Sequence, residues 1–201
     1  MSMHIDGKKI AEMYWAGQKI REAWHEGQRV FSGKPVEVMP PTPNWYDAQD
    51  WLRGRLTEYG ESYQTVKEIP FEIDTGESSN LDSMFRGCSS LTTVPDMDTS
   101  QVTNMLSMFD GCSSLTTAPV MDTSQATDMR SMFRDCSSLT TVPDMDTRNV
   151  TDVSDMFRGC SSLTDGNVRL IGKRTGVSTV RMIQDSGLTR EPFYDINGQP
   201  I

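Results

Sequence analysis

The residues of this chain whose types could carry chemistry are four cysteines, two histidines and a row of aspartates. The cysteines, Cys88, Cys112, Cys136 and Cys160, recur every 24 residues. A zinc site needs close pairs such as C-x₂-C to bring two thiolates to one ion, and the chain has none. A disulfide framework in a short secreted chain shows irregular spacings. Even spacing instead puts cysteine into one structural slot four times, where a reduced thiol serves as a small core residue. A redox or metal role is the alternative. His4 and His25 lie near the N-terminus, and their positions suggest no Ser-His-Asp or Cys-His pairing. No G-x-G-x-x-G follows a strand, and no Walker motif is present to cradle phosphate. A catalytic site breaks a repeat, because one position must do what its counterparts do not. These copies stay alike, so the sequence predicts a protein that is not an enzyme, with no catalytic residues and no cofactor.

The aspartates are the second candidate. Asp74, Asp98, Asp122 and Asp146 share the 24-residue period, with Thr75, Thr99, Thr123 and Thr147 beside them. Asp96 and Asp144 add charge two residues earlier, and Val120 interrupts that row. Stacked like charges repel and must be compensated. One reading has each carboxylate cap its own turn by accepting backbone N–H bonds. The other has calcium held between copies by carboxylate and carbonyl oxygens.

The elements that must position these groups follow from the repeat itself. MFRGCSSLTTVPDMDTSQVTNMLS begins at Met84 and recurs, with few changes, at Met108 and Met132; a fourth copy starts at Met156. Fixed period with degenerate ends is the mark of a solenoid, in which each unit buries its apolar side against its neighbours. The expected core is Met84, Met108, Met132 and Met156; Phe85, Phe109, Phe133 and Phe157; the four cysteines; and Leu91, Leu115, Leu139 and Leu163. LTTVPDMD, with β-branched Thr between apolar residues, reads as a short strand. TSQVTNMLSMF has Val102, Met105, Met108 and Phe109 at the spacing of one helical face. Each unit therefore reads as a strand plus a short helix, an α/β repeat. Val177, Val180 and Ile183 echo Val150, Val153 and Met156 as a degenerate last copy.

The string MFxxCSSLTTVPxMDTSxVTNM resembles the BspA-like branch of leucine-rich repeats, over residues 72–166 with weaker copies on each side. The resemblance rests on a hydrophobe-Phe pair, a Cys three residues after the Phe, a Leu and a Val-Pro step recurring at fixed offsets. It implies a short right-handed leucine-rich-repeat solenoid with 24-residue rungs, and a role in adhesion or protein binding rather than catalysis.

The N-terminal part has another rhythm. GKKIAEMYWA, GQKIREAWHE and GQRVF start at Gly7, Gly17 and Gly27. Asp6-Gly7, Ala16-Gly17 and Glu26-Gly27 read as two-residue hairpin turns, glycine supplying the positive φ. Short strands this few cannot hold a core alone. Both faces carry large apolar groups, so Tyr14, Trp15, Trp24 and Phe31 are expected to anchor the segment on another chain; packing on the chain's own repeats is the alternative. This start is similar to the N-terminal segments of minor tail proteins from phages of actinobacteria. The expected organisation is a β-hairpin assembly segment over 1–32, a stiff Pro-rich linker over 33–44, a helical cap and first worn rung over 45–71, the repeats over 72–166, and a degenerate rung, cap and tail over 167–201. In the cap, Ala48, Trp51, Leu52, Leu56 and Tyr59 form one apolar face, with Asn44 at its start and Gly60 at its end. The tail TREPFYDINGQPI reads as irregular, with an Asn-Gly turn.

Charge excludes some partners. Residues 72–166 hold fifteen Asp/Glu against five Lys/Arg. Nucleic acid needs clustered basic side chains, so it is not an expected partner. No apolar run is long enough to span a bilayer. The start lacks the apolar stretch of a secretory signal, so the chain is expected to stay in the cell that makes it or to leave inside a virus particle. The resemblances together imply a structural protein of a phage virion, a minor tail component. It would be made in the host cytoplasm and joined to other virion proteins through residues 1–32 as a symmetric homo-oligomer. Its repeats would face a host-surface protein or glycan, or a neighbouring virion protein. A capsid decoration protein and a bacterial surface adhesin are the alternatives.

Overall fold

A computed structural model describes residues 13–15, 18–20, 24–25, 28–29, 36–39, 48–173 and 175–201, the first four stretches as backbone only. β1 (Met13–Trp15) pairs antiparallel with β2 (Gln18–Ile20), Trp15 opposite Gln18. β3 (Trp24–His25) pairs antiparallel with β4 (Gln28–Arg29), His25 opposite Gln28. In the sequence two residues separate the strands of each pair, Ala16-Gly17 and Glu26-Gly27.

The run expected as a linker contains a strand. β5 (Val36–Val38) lies antiparallel to β2 and parallel to β6 (Glu72–Asp74), in register Val36↔Glu72, Glu37↔Ile73 and Val38↔Asp74. The amide of Met39 extends the pairing to the carbonyl of Asp74 at 2.9 Å. The reason is an edge. The first copy has no predecessor, and a Val-Glu-Val stretch fills the place a preceding copy would hold. β5 is followed by α1 (Ala48–Glu58), which buries Ala48, Trp51, Leu52 and Leu56. Gly60, at φ 75°, ends it: the Gly60 amide donates to Thr57 O and the Glu61 amide to Leu56 O, a Schellman closure.

From there the copies stack. Asn80, Asn104, Asp128, Asp152 and Ser178 bridge in parallel, each to the next. The segment whose spacing predicted a helix is not one, and α1 is the one α-helix among the described residues. In that segment alternate amides turn outward to the next copy: Leu81, Phe85 and Gly87 donate to Asn104, Met108 and Asp110. The intervening amides close local turns, Met84 to Leu81 O, Arg86 to Ser83 O and Cys88 to Phe85 O. A helix would need every amide to reach back four residues. Two left-handed residues per copy interrupt that pattern: Ser83 and Gly87, Ser107 and Gly111, Ser131 and Asp135, Asp155 and Gly159, and Arg181 and Asp185.

The segment read as a strand is one only at the ends, as β6 and as the parallel sheet of β7 (Met145–Asp146), β8 (Leu170–Ile171) and β9 (Phe193–Tyr194). Pro95 and Pro119 have no amide to give the middle copies. There the Thr hydroxyls take over: Thr75, Thr99 and Thr123 Oγ1 donate to the carbonyls of Asp98, Asp122 and Asp146 at 2.6, 2.9 and 3.1 Å.

Two further expectations change at the C-terminus. Asp152 pairs with Ser178, so the last copy is offset by 26 residues, and Met182 fills the slot of Met156 while Val180 is exposed. The tail is not irregular: β9 extends the sheet, and the turn at Asn197-Gly198, with Gly198 at φ 77°, folds Ile201 back onto Phe193 O at 3.1 Å. One continuous apolar core runs from Met39 through the copies to Phe193.

Candidate interaction surface

The repeated carboxylates build turns. Oδ1 of Asp74, Asp98, Asp122 and Asp146 accepts the amide two residues on, from Gly76, Ser100, Ser124 and Arg148, at 2.9–3.1 Å. At Asp98, Asp122 and Asp146 hydrogen bonding stabilises the ionised form. The Ser100 backbone amide holds Asp98 below the ordinary carboxylate value, hydrogen bonding from Ser124 does so for Asp122, and the Arg148 side chain does so for Asp146. The four carboxylates thus serve their own turns. Among the described residues no group of three or more His, Cys, Asp or Glu could hold a metal ion. A parallel column, absent from the sequence reading, does the same work. Oδ1 of Asn80, Asn104, Asp128 and Asp152 accepts the amides of Asp82, Leu106, Arg130 and Ser154 at 2.8–3.0 Å. Its signal was available: Asn or Asp recurs at that position in four copies, and both favour such turns.

The apolar columns are closed to solvent. All sixteen expected core residues, the Met, Phe, Cys and Leu columns, have 0 % exposure. Phe85, Phe109, Phe133 and Phe157 stack nearly parallel, their centroids 5.4, 5.3 and 5.9 Å apart. The thiols are free and buried. Cys112, Cys136 and Cys160 Sγ donate to the carbonyls of Phe85, Phe109 and Phe133 at 3.1, 3.1 and 2.8 Å. Burial pushes the Cys88 and Cys160 thiols up to about 12, and raises Cys112 and Cys136 as well. At neutral pH these are packing groups, because only a thiolate attacks or ligates.

The first copy is sealed by side chains. Its carbonyls at Met84 and Arg86 lack the amides that a preceding copy would send. Tyr63 Oη donates to Met84 O at 2.9 Å and Gln49 Nε2 to Arg86 O at 2.8 Å. Trp51 and Tyr59 pack on Phe71, with centroids 6.4 and 5.0 Å away. Glu37, 4 % exposed on β5, pairs with Arg55 of α1 and accepts a 2.7 Å bond from Tyr59 Oη. Burial, then the Glu37 carboxylate, pushes the Tyr59 phenol up to about 12. This cluster of buried Glu37 with half-buried Arg55 and Tyr59 ties β5 to the helix. Nothing in the sequence pattern marks it, because Glu alternating with Val36 and Val38 reads as the solvent-facing position of a strand.

Apart from exposed Val120, Val180, Ile196 and Ile201, the outside of the stack is mainly polar, and part of it is periodic. Thr92-Thr93, Thr116-Thr117 and Thr140-Thr141 are exposed, with Thr92 and Thr140 Oγ1 bonded to the copy before them. The structure offers a regular neutral face, repeated three times, with acidic columns elsewhere. Of the expected assembly residues, Tyr14, Trp15 and Trp24 lie in β1 and β3 as backbone; their side chains, and Phe31 altogether, fall outside the described residues.

Comparison with known proteins bears on this arrangement. The model of the family described as "Mycoplasma protein of unknown function, DUF285" matches residues 63–184, well over half of the 201-residue chain. The chain belongs to the DUF285 family. No curated protein and no solved structure matches the chain. In this DUF285 protein the matched span starts at Tyr63, whose hydroxyl seals the first copy, and ends at Gln184, which accepts the Gly159 amide in the last. The family unit therefore coincides with the stack itself.

Proposed function

We propose that this DUF285 protein is a non-enzymatic structural component of a phage virion, a minor tail protein. Its repeats form a short right-handed leucine-rich-repeat solenoid of the BspA-like kind. The β-hairpin segment at its N-terminus joins it to other virion proteins as a homo-oligomer. The repeats are then presented to a host-surface protein or glycan, or to a neighbouring virion protein. The observation that carries the non-catalytic part is the use already made of the four repeated thiols and of the Asp74, Asp98, Asp122 and Asp146 column. The Asp columns hold turns, the thiols are sealed in the core, and what faces solvent is a periodic polar surface. Such a surface suits contact better than turnover. The assignment to a virion rests on the resemblance of residues 1–31 to phage tail segments.

Immunogold labelling of particles against residues 72–188 tests the location, with label at the tail expected. Label on the head would replace the tail role with capsid decoration. Trp24→Asp tests the assembly role. It should deplete the particle-bound fraction, and an unchanged fraction would remove that role. The family description names a bacterial genus, which favours a bacterial surface-binding module as the second reading.

A further inference from the structure

One strand belongs to two structures at once. The sheet order is β1-β2-β5-β6, so β5 lies between the N-terminal hairpin and the first copy. On one side Lys19 of β2 faces Val36 in an antiparallel pair. On the other, Val36, Glu37 and Val38 run parallel to Glu72, Ile73 and Asp74, and the Met39 amide adds its bond to Asp74 O. Met39 is buried in the same apolar core as Phe71 and Ile73. β5 precedes the matched family span of 63–184, so the stack takes its first edge from outside its own unit.

The two sides hold β5 unequally. Toward the stack, Glu37 is buried, pairs with Arg55 and accepts from Tyr59 Oη. The Tyr59 ring packs on Phe71, which immediately precedes β6. A buried carboxylate is tolerated only while it is paired, so β5 cannot leave β6 without breaking this cluster. Toward the hairpin, the pairing among the described residues is that of Lys19 with Val36. A two-stranded hairpin is marginal alone, so β1 and β2 depend on β5 as their third strand. Each neighbour thus shares the entropic cost of ordering β5. Whatever orders β5 on one side lowers the cost on the other, and linkage makes that effect reciprocal.

We propose that β5 is a strap that couples engagement of the N-terminal hairpin to closure of the first copy. A partner that holds β1 and β2 in place tightens the seal over Phe71 and β6. Loosening of the hairpin loosens that seal and bares the β6 edge to pairing with another chain. The coupling goes beyond the virion reading and does not need it, since it requires only the sheet and is read on the purified full chain without particles. The test follows amide exchange and amide shifts of the ¹⁵N-labelled chain. The Met39 amide, bonded to Asp74 O, reports the seal, and the Phe157 amide, bonded to Met182 O, is the remote reference. Lys19→Pro removes an amide from the middle of β2. It should speed exchange at Met39 about tenfold or more while Phe157 keeps the parent rate. Lys19→Ala keeps the amide and should leave Met39 at the parent rate. In the opposite direction, Glu37→Ala should move the shifts of Gln18–Ile20 toward random-coil values, again with Phe157 unchanged. Parent-like exchange at Met39 in Lys19→Pro would overturn the strap. So would Gln18–Ile20 shifts that ignore Glu37→Ala or are already random-coil in the parent. Equal acceleration at Met39 and Phe157 would show general unfolding in place of a local coupling and would overturn it as well.

Discussion

Phe109→Ala probes the stack where it is most constrained. Phe109 has 0 % exposure and lies between Phe85 at 5.4 Å and Phe133 at 5.3 Å. Truncation removes a full ring and leaves a cavity that two flanking rings cannot both fill, at a cost of about 3–5 kcal/mol. Whole domains are stable by only about 5–15 kcal/mol, so this is a large share. With a urea m-value of about 2 kcal/mol/M, the unfolding midpoint should fall by about 1.5–2.5 M. Phe109→Leu keeps most of the volume and should cost less than about 1.5 kcal/mol. Ile183 occupies the same slot in the last copy but is only half-buried, so Ile183→Ala should cost less than Phe109→Ala. Chemical denaturation followed by circular dichroism reads all three. A Phe109→Ala midpoint within about 0.3 M of the parent would refute the reasoning, since a buried ring cannot be removed that cheaply. Equal losses for Phe109→Ala and Ile183→Ala would deny the difference between middle and end.

Other expectations follow from the caps and columns. Glu37→Ala removes the partner of Arg55 and the acceptor of Tyr59, and should cost about 3 kcal/mol in the same assay, with Glu37→Gln costing less. Asp98, Asp122 and Asp146 have depressed folded values, so their stabilisation is present above the unfolded Asp value of about 3.9 and is lost as pH falls through the folded values. A triple Asp→Asn variant at these positions keeps the Oδ1 acceptors and should flatten the acid limb of a melting-temperature profile below about pH 4. An unchanged limb would mean these carboxylates do not set it. The four thiols should resist an aromatic disulfide reagent in the folded protein and all react in urea, because burial raises each of them. Rapid labelling of any one would place it at the surface.

The core was legible because a 24-residue period shows which positions repeat, and positions that repeat as Met, Phe, Cys and Leu must share one environment. The turn segment was misread for a physical reason. Val102, Met105, Met108 and Phe109 all point inward. Consecutive turns closed by three-residue bonds bring them to the same side at a spacing that a helix also gives. Only backbone conformation separates the two, and a serine at φ 53°, such as Ser107, carries no sequence mark. The last copy was misaligned by one residue because Val177, Val180 and Ile183 keep the same three-residue spacing. The pairing of Asp152 with Ser178 shows that two inserted residues had been absorbed upstream. β5 was hidden by its neighbouring prolines, which suggested a free linker. Whether Val36–Val38 pairs depends on an edge created 36 residues later at Glu72–Asp74. The Asp74, Asp98, Asp122 and Asp146 column was visible from its period, with turn acceptance one of the two readings it allowed; the column of Asn80, Asn104, Asp128 and Asp152 beside it was missed.

The most direct test of the central claim is peptide mass spectrometry on density-banded virus particles from the source of this chain. The account predicts peptides from both the N-terminal segment and the repeats, at a low copy number relative to the major capsid protein. Absence of the chain from purified particles, with its presence in the cellular fraction, would contradict the virion role and leave a cellular binding module.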